Sequence, residues 1–106
     1  MQSKITELEQ ITNNRITNVK VIAIDNTEKW ALAALIFDNT PHLGIHWFNC
    51  KNGYPAGGWF IIPKALDCGI LSSLTLSIDN KKLLEDFLCR NNSFTNLSEL
   101  NHVTIN

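Results

Sequence analysis

The sequence predicts an α+β fold: a four-stranded antiparallel sheet (meander) with an N-terminal helix and two C-terminal helices. Three observations carry that prediction. Apolar residues recur at helical spacing only towards the two ends of the chain. Between those ends, short apolar or β-branched runs alternate with clusters of Asn, Asp, Gly and Pro. The links between successive runs are short, which favours strands that return alongside one another. With 106 residues, a single domain over 1–106 is expected, long enough to bury its own core.

Residues 3–13 read as a short amphipathic helix, with Ser3 as N-cap, Ile5, Leu8 and Ile11 as its stripe, and Asn13-Asn14 as its stop. Residues 16–24 (ITNVKVIAI) are densely β-branched and predict a strand, with Val19, Val21 and Ala23 on one face and Lys20, Ile22 and Ile24 on the other. Asp25-Asn26-Thr27-Glu28 is a turn. Residues 29–37 (KWALAALIF) have helix-favouring Ala and Leu, yet eight apolar residues between two turn signals suit a strand buried on both faces. After the turn Asp38-Asn39-Thr40-Pro41, residues 43–50 (LGIHWFNC) form the third strand and residues 59–62 (WFII) the fourth, joined by a Gly- and Pro-bearing loop.

Pro63 suits the first turn of a helix, whose buried stripe is Leu66, Ile70, Leu71 and Leu74. Gly69 either weakens that helix or admits a close neighbour. Asp79 is a candidate cap for a second helix with Leu83, Leu84, Phe87 and Leu88 on one face, stopped by Asn91-Asn92. Residues 100–105 could add a short edge strand. Helices are expected to cover one face of the sheet.

Charge is balanced overall, with 9 Lys plus Arg against 10 Asp plus Glu, but unevenly spread. Residues 30–78 hold only Asp38, Lys51, Lys64 and Asp67, and the same stretch holds seven of the nine aromatic residues. Such a balance argues against a strongly basic nucleic-acid binder. The longest apolar stretch, Trp30–Phe37, is too short to span a membrane. The opening MQSKITELEQ lacks the apolar run of a signal peptide. Cys50, Cys68 and Cys89 are an odd number without a CxxC spacing, so buried, reduced thiols and a cytoplasmic location are expected. The Asn91 and Asn96 sequons then carry no meaning.

No reactive constellation stands out. On a strand, His42 and His46 lie about 13 Å apart, too far to share one metal ion. Cys50 is similarly offset from His46, and the acidic residues sit at turns and helix starts. Gly53, Gly57 and Gly58 are not followed by the residues of a phosphate-binding loop. The expectation is a non-enzymatic protein with no cofactor and no metal.

The aromatic stretch is the remaining signal. Trp47-Phe48 closes one strand, Tyr54 lies in the loop, and Trp59-Phe60 opens the next strand. Each dipeptide sends one ring to each side of the sheet, and hairpin pairing could bring Trp47 near Trp59 and Phe48 near Phe60. One side is core, and the other is either a stacking platform or protein-binding patch, or is covered as well, with the rings serving only as packing. The stretch LGIHWF, the Gly/Pro loop and GGWFIIP opening a helix resemble, over residues 30–74, the positive-cofactor-four family of single-stranded DNA-binding proteins. That resemblance implies four antiparallel strands and a helix, homodimerisation, and a basic-lined sheet that binds single strands. Here the equivalent strands carry Lys29, Lys51 and Lys64.

Interfaces enrich aromatic residues and deplete charge at their centres, which describes residues 43–62. The expected function is a small protein–protein interaction module, of an inhibitor, immunity or phage accessory type. Its candidate binding residues are Trp47, Tyr54, Trp59, His46 and Lys51, and its partner is another protein or a second copy of the chain. The alternative is a single-stranded nucleic-acid-binding protein that stacks bases on the sheet aromatics.

Overall fold

The four-stranded antiparallel meander is present, but it belongs to a larger, mixed sheet. A computed structural model describes residues 4–48 and 58–105. Its strands are β1 (Ile16–Asp25), β2 (Trp30–Phe37), β3 (Thr40–Trp47), β4 (Phe60–Ile61) and β5 (Val103–Thr104). They lie in the order β4-β3-β2-β1-β5. Thus the sheet has five strands rather than four, and β5 runs parallel to β1 while the other neighbours are antiparallel. The short tail finds its place by donating the Ile105 N–H to the Ile24 carbonyl.

Turn chemistry sets the hairpins. Between β1 and β2, the Asp25 carboxylate accepts from the Thr27 and Glu28 amides, and Lys29 takes a positive φ of 64°. Between β2 and β3 the loop is two residues long, with Asp38 at φ 48° and Asn39 at φ 67°. Two successive left-handed residues define the hairpin turn whose twist matches its strands, and Asp and Asn tolerate it best after Gly. Phe37 therefore pairs with Thr40, and the ladder runs without interruption to Trp30 opposite Trp47. Arg15 clamps this turn through two bonds to the Asp38 carboxylate, at 2.8 and 2.6 Å.

β2 is buried along almost its whole length, as expected for a central strand covered on both sides. One face carries Ile22, Ala23, Leu32, Ala34, Ile36, Leu43 and Ile62. Over it lie α2 (Asp67–Ser73), α3 (Ile78–Leu84) and the π-helical segment Glu85–Cys89, which contribute Leu71, Leu84, Phe87 and Leu88. The chain must cross the sheet to travel from β4 at one edge to β5 at the other, and these helices are that crossing. The second face is also covered, contrary to the expectation of helices on one face only. There α1 (Lys4–Glu9) sets Leu8 against Val21, Ile24, Ala31, Ala33 and Leu35, together with Phe48 and Trp59.

Several local expectations shift. α1 ends at Glu9 rather than near residue 13, and Asn13 instead caps the entry to β1, accepting from the Arg15 and Ile16 amides. Ser3 lies outside the described residues. Strict alternation fails in β1, because a bulge between Val21 and Ala23 leaves Ile22 and Ala23 on the same face. Leu66 is exposed, because it ends a 3₁₀ turn (Lys64–Leu66) of about three residues per turn, out of phase with the α-helix after it. Ser77, not Asp79, caps α3, accepting from the Asn80 amide.

The cysteines also differ from the expectation. Cys68 and Cys89 are exposed and joined in a disulfide across 21 residues, so they are not buried thiols. Cys50 lies outside the described residues. Among the described residues, no helix is long and apolar enough to cross a membrane.

Candidate interaction surface

Register decides which rings are core and which reach solvent. Ile45 pairs with Phe60, and Gly44 with Ile61. Continued by one residue, that register sets His46 opposite Trp59, and their ring centroids are 5.4 Å apart. The two Trp-Phe dipeptides do split across the sheet, but with exchanged partners. Trp47 shares a face with Phe60, and Phe48 shares the other face with Trp59.

Trp59 is buried for a local reason. It packs in the α1-covered cluster with Ala31 and Ala33, and the missing side chain of Gly44 leaves room for it. A Cβ on Gly44 would lie 3.1 Å from the Trp59 Cβ. The indole N–H donates to the Ile11 carbonyl at 3.0 Å, fastening the segment between α1 and β1 to the sheet. His46 is buried beside it, with Nδ1 2.8 Å from the Gly58 carbonyl oxygen. Phe48 donates its amide to the Lys29 carbonyl, and the Lys4 ammonium lies over its ring, 5.3 Å from the centroid.

Trp47 and Phe60 form the opposite case. They remain 46% and 66% exposed although they project from the face that carries the larger helical layer. Trp30, directly opposite Trp47, and Ile45, directly opposite Phe60, are half-buried and pack against the core. Four apolar side chains thus make a corner at the β4 edge of the sheet, at the end remote from the Asp38-Asn39 turn.

Among the described residues, the corner carries little charge. Of the four charged residues in 30–78, Asp38 is held by Arg15 at the far end of the sheet, Lys64 and Asp67 pair with each other, and Lys51 lies outside the described residues. The exposed Glu28 and Lys29 lie just beyond Trp30 and supply a polar rim.

Of the five sequence candidates, Trp47 is on this surface, while Trp59 and His46 are buried together on the other face. Tyr54 and Lys51 lie outside the described residues. Phe60 and Trp30 were not among the candidates. The signal for Trp30 was present: a two-residue turn at Asp38-Asn39 already sets Trp30 opposite Trp47.

The remaining polar groups build structure. Lys64 Nζ donates to the carbonyls of Pro41 and Leu88, both at 2.8 Å, and lies 2.9 Å from an oxygen of the buried Asp67 carboxylate. Neither Asp67 oxygen accepts a well-directed hydrogen bond. Burial pushes the Asp67 carboxyl above its ordinary range, opposed by the nearby Lys64 ammonium. The Arg15 guanidinium holds the exposed Asp38 carboxyl below that range. Among the described residues, no group of three or more His, Cys, Asp or Glu side chains converges as metal ligands do. Comparison with protein-family models, curated proteins and solved structures found no match to this chain.

Proposed function

We propose that the chain is a non-enzymatic protein–protein interaction module whose contact surface is the Trp30, Ile45, Trp47 and Phe60 corner. One observation carries the reading: Trp47 and Phe60 project from the same face of the sheet and stay exposed, while their dipeptide neighbours Phe48 and Trp59 are packed away. Aromatic side chains held on a sheet lose little conformational freedom on binding, and they dominate the energetic centres of interfaces. Among the described residues, a centre without charge and a rim with Glu28 and Lys29 conform to the same pattern. The partner this chemistry fits is a protein with an apolar pocket or groove.

The test compares the wild type with a Trp47→Ser/Phe60→Ser double variant, whose substitutions lie at exposed positions. Affinity capture followed by titration calorimetry on the captured protein should show at least a tenfold loss of affinity in the variant. Equal affinity for every captured protein would overturn the assignment. Anisotropy titration with a single-stranded oligonucleotide at about 50 mM salt examines the alternative, because low salt favours phosphate contacts most. No binding is expected. Tight, salt-sensitive binding lost in the double variant would replace the protein partner with a nucleic acid stacked on the same two rings.

A further inference from the structure

α2 is an unusual helix to find over a core. It spans seven residues, and its two fully buried side chains are Leu71 and the carboxylate Asp67. Ile70 and Leu74 are half-buried, Leu66 just before it is exposed, and a Cβ at Gly69 would meet open space. Hydrophobic contact therefore holds this segment weakly, and its buried carboxylate lacks directed hydrogen bonds.

Two tethers lie back to back at its N-terminal end. One is polar: Lys64 binds the Pro41 carbonyl of β3, the Leu88 carbonyl and the Asp67 carboxylate. The other is covalent and involves the next residue along each partner, Cys68 and Cys89, whose Cα atoms are 6.2 Å apart. Cys89 ends the π-helical segment, in which the Arg90 amide donates to the Glu85 carbonyl five residues back. An extra residue in a helical turn rotates the residues after it by roughly 100° relative to an α-helix. The π segment thus keeps Phe87 and Leu88 in the core while turning Cys89 outward to face Cys68.

We propose that the Cys68–Cys89 disulfide is a reversible redox clasp on the segment 64–74, and that its reduction opens this segment locally while the sheet and α3 stay folded. Both cysteines are exposed, so a small dithiol reaches them without prior unfolding. A thiolate of the reductant attacks one sulfur and releases the other as a thiolate. The second reductant thiol then resolves the mixed disulfide. Two electrons and two protons pass to the protein, leaving two cysteine thiols and the oxidised, cyclic form of the dithiol. Re-formation is the same exchange run with a disulfide of the glutathione class as oxidant. Of the segment 64–74 only Leu71 is a buried member of the helix-covered core, with Ile70 and Leu74 at its margin, while the sheet, α3 and the π segment supply Ile22, Leu32, Leu43, Leu84, Phe87 and Leu88, so opening is expected to stay local.

Hydrogen–deuterium exchange of the full chain, before and after dithiothreitol, tests the clasp. Alkylation under denaturing conditions establishes the starting state, with one adduct before reduction and three after, since the chain has three cysteines. On reduction, amides of 64–74 should exchange at least tenfold faster, with those of β1, β2 and β3 unchanged. A Cys68→Ser/Cys89→Ser variant should show the fast pattern without reductant and no response to it. Three adducts before reduction, unchanged exchange in 64–74, or acceleration across the whole sheet would each overturn the proposal. These readouts need no binding partner, so they succeed or fail independently of the interaction surface.

Discussion

The same substitution, Gly to Ala, should have opposite effects at two positions, and the difference arises from packing alone. At Gly44, a Cβ would sit 2.9 Å from Leu35 Cδ2 and 3.1 Å from Trp59 Cβ. Leu35 is fully buried, and the Trp59 indole is anchored by its bond to Ile11, so neither yields easily. Overpacking of this kind costs about 1–3 kcal/mol, while replacing a strand glycine returns roughly 0.5–1 kcal/mol of conformational entropy. The net is a loss of about 1–2 kcal/mol. For a domain near this size each kcal/mol moves the melting temperature by about 4–8 °C, so Gly44→Ala should melt about 5–15 °C lower. At Gly69 an added Cβ meets open space, and Ala in a helix is favoured by about 1 kcal/mol. Gly69→Ala should therefore melt higher by a few degrees. Thermal unfolding monitored by circular dichroism, with urea titration as a second measure, reads both. If Gly44→Ala is as stable as the wild type, Trp59 does not pack over β3 as described, and the assignment of Trp47 and Phe60 to the exposed face loses its basis.

Asn39, at φ 67° in a two-residue hairpin, should accept Gly with equal or greater stability. Asn39→Val should cost about 1–2 kcal/mol, the usual penalty of a left-handed backbone for a residue with a bulky Cβ. A harmless Val in urea titration would contradict the turn geometry. Asp67 gives a pH signature. Its folded pKa is raised by burial, so the fold binds a proton more tightly than the unfolded chain does. The stability this contributes is fully present below the ordinary carboxylate range and is lost as pH rises through the raised value. Asp67→Asn cannot lose a proton, so the stability of the wild type should fall relative to that variant as pH rises from the ordinary carboxylate range towards neutrality. A constant difference, or a wild type that gains stability relative to the variant as pH rises, refutes the burial of this carboxyl beside Lys64.

Much of the fold was legible because its signals are local. The turn clusters at 25–28 and 38–41 bounded β2, and length outweighed the helix propensity of its alanines, since a strand covered on both faces needs an unbroken apolar run. Other features depended on long-range pairing. The densely β-branched run of β1 has no period that would betray a bulge, so its face assignments slipped at Ile22. The pairing of Cys68 with Cys89 has no sequence signature, because the π segment that aims Cys89 reads as ordinary helix. The registers of the two hairpins differ in the same way. A two-residue turn fixes Trp30 opposite Trp47, whereas the long connection over residues 49–57 leaves the parity of β4 open. A slip of one residue exchanges Trp59 for Phe60 on the core face.

That parity is settled by size complementarity rather than by hydrophobicity, which scarcely separates Trp59 from Phe60. The α1-covered face presents the small residues Ala31, Ala33 and Gly44, which leave room for a large ring with a polar edge to fasten it. Trp59 meets both needs, through its ring and through its N–H to Ile11. The other face presents Leu32 and Leu43 to the helical layer and the half-buried Ile45 nearer the edge, and Phe60, on the edge strand beside Ile45, stays 66% exposed. Phe60 is therefore left in solvent by the same register that buries Trp59, and Trp47 is left beside it. Placing β4 with Trp59 inward fastens the N-terminal segment and at once creates an uncharged aromatic corner on the opposite face. The stability of one face and the binding surface on the other thus depend on a single choice of register.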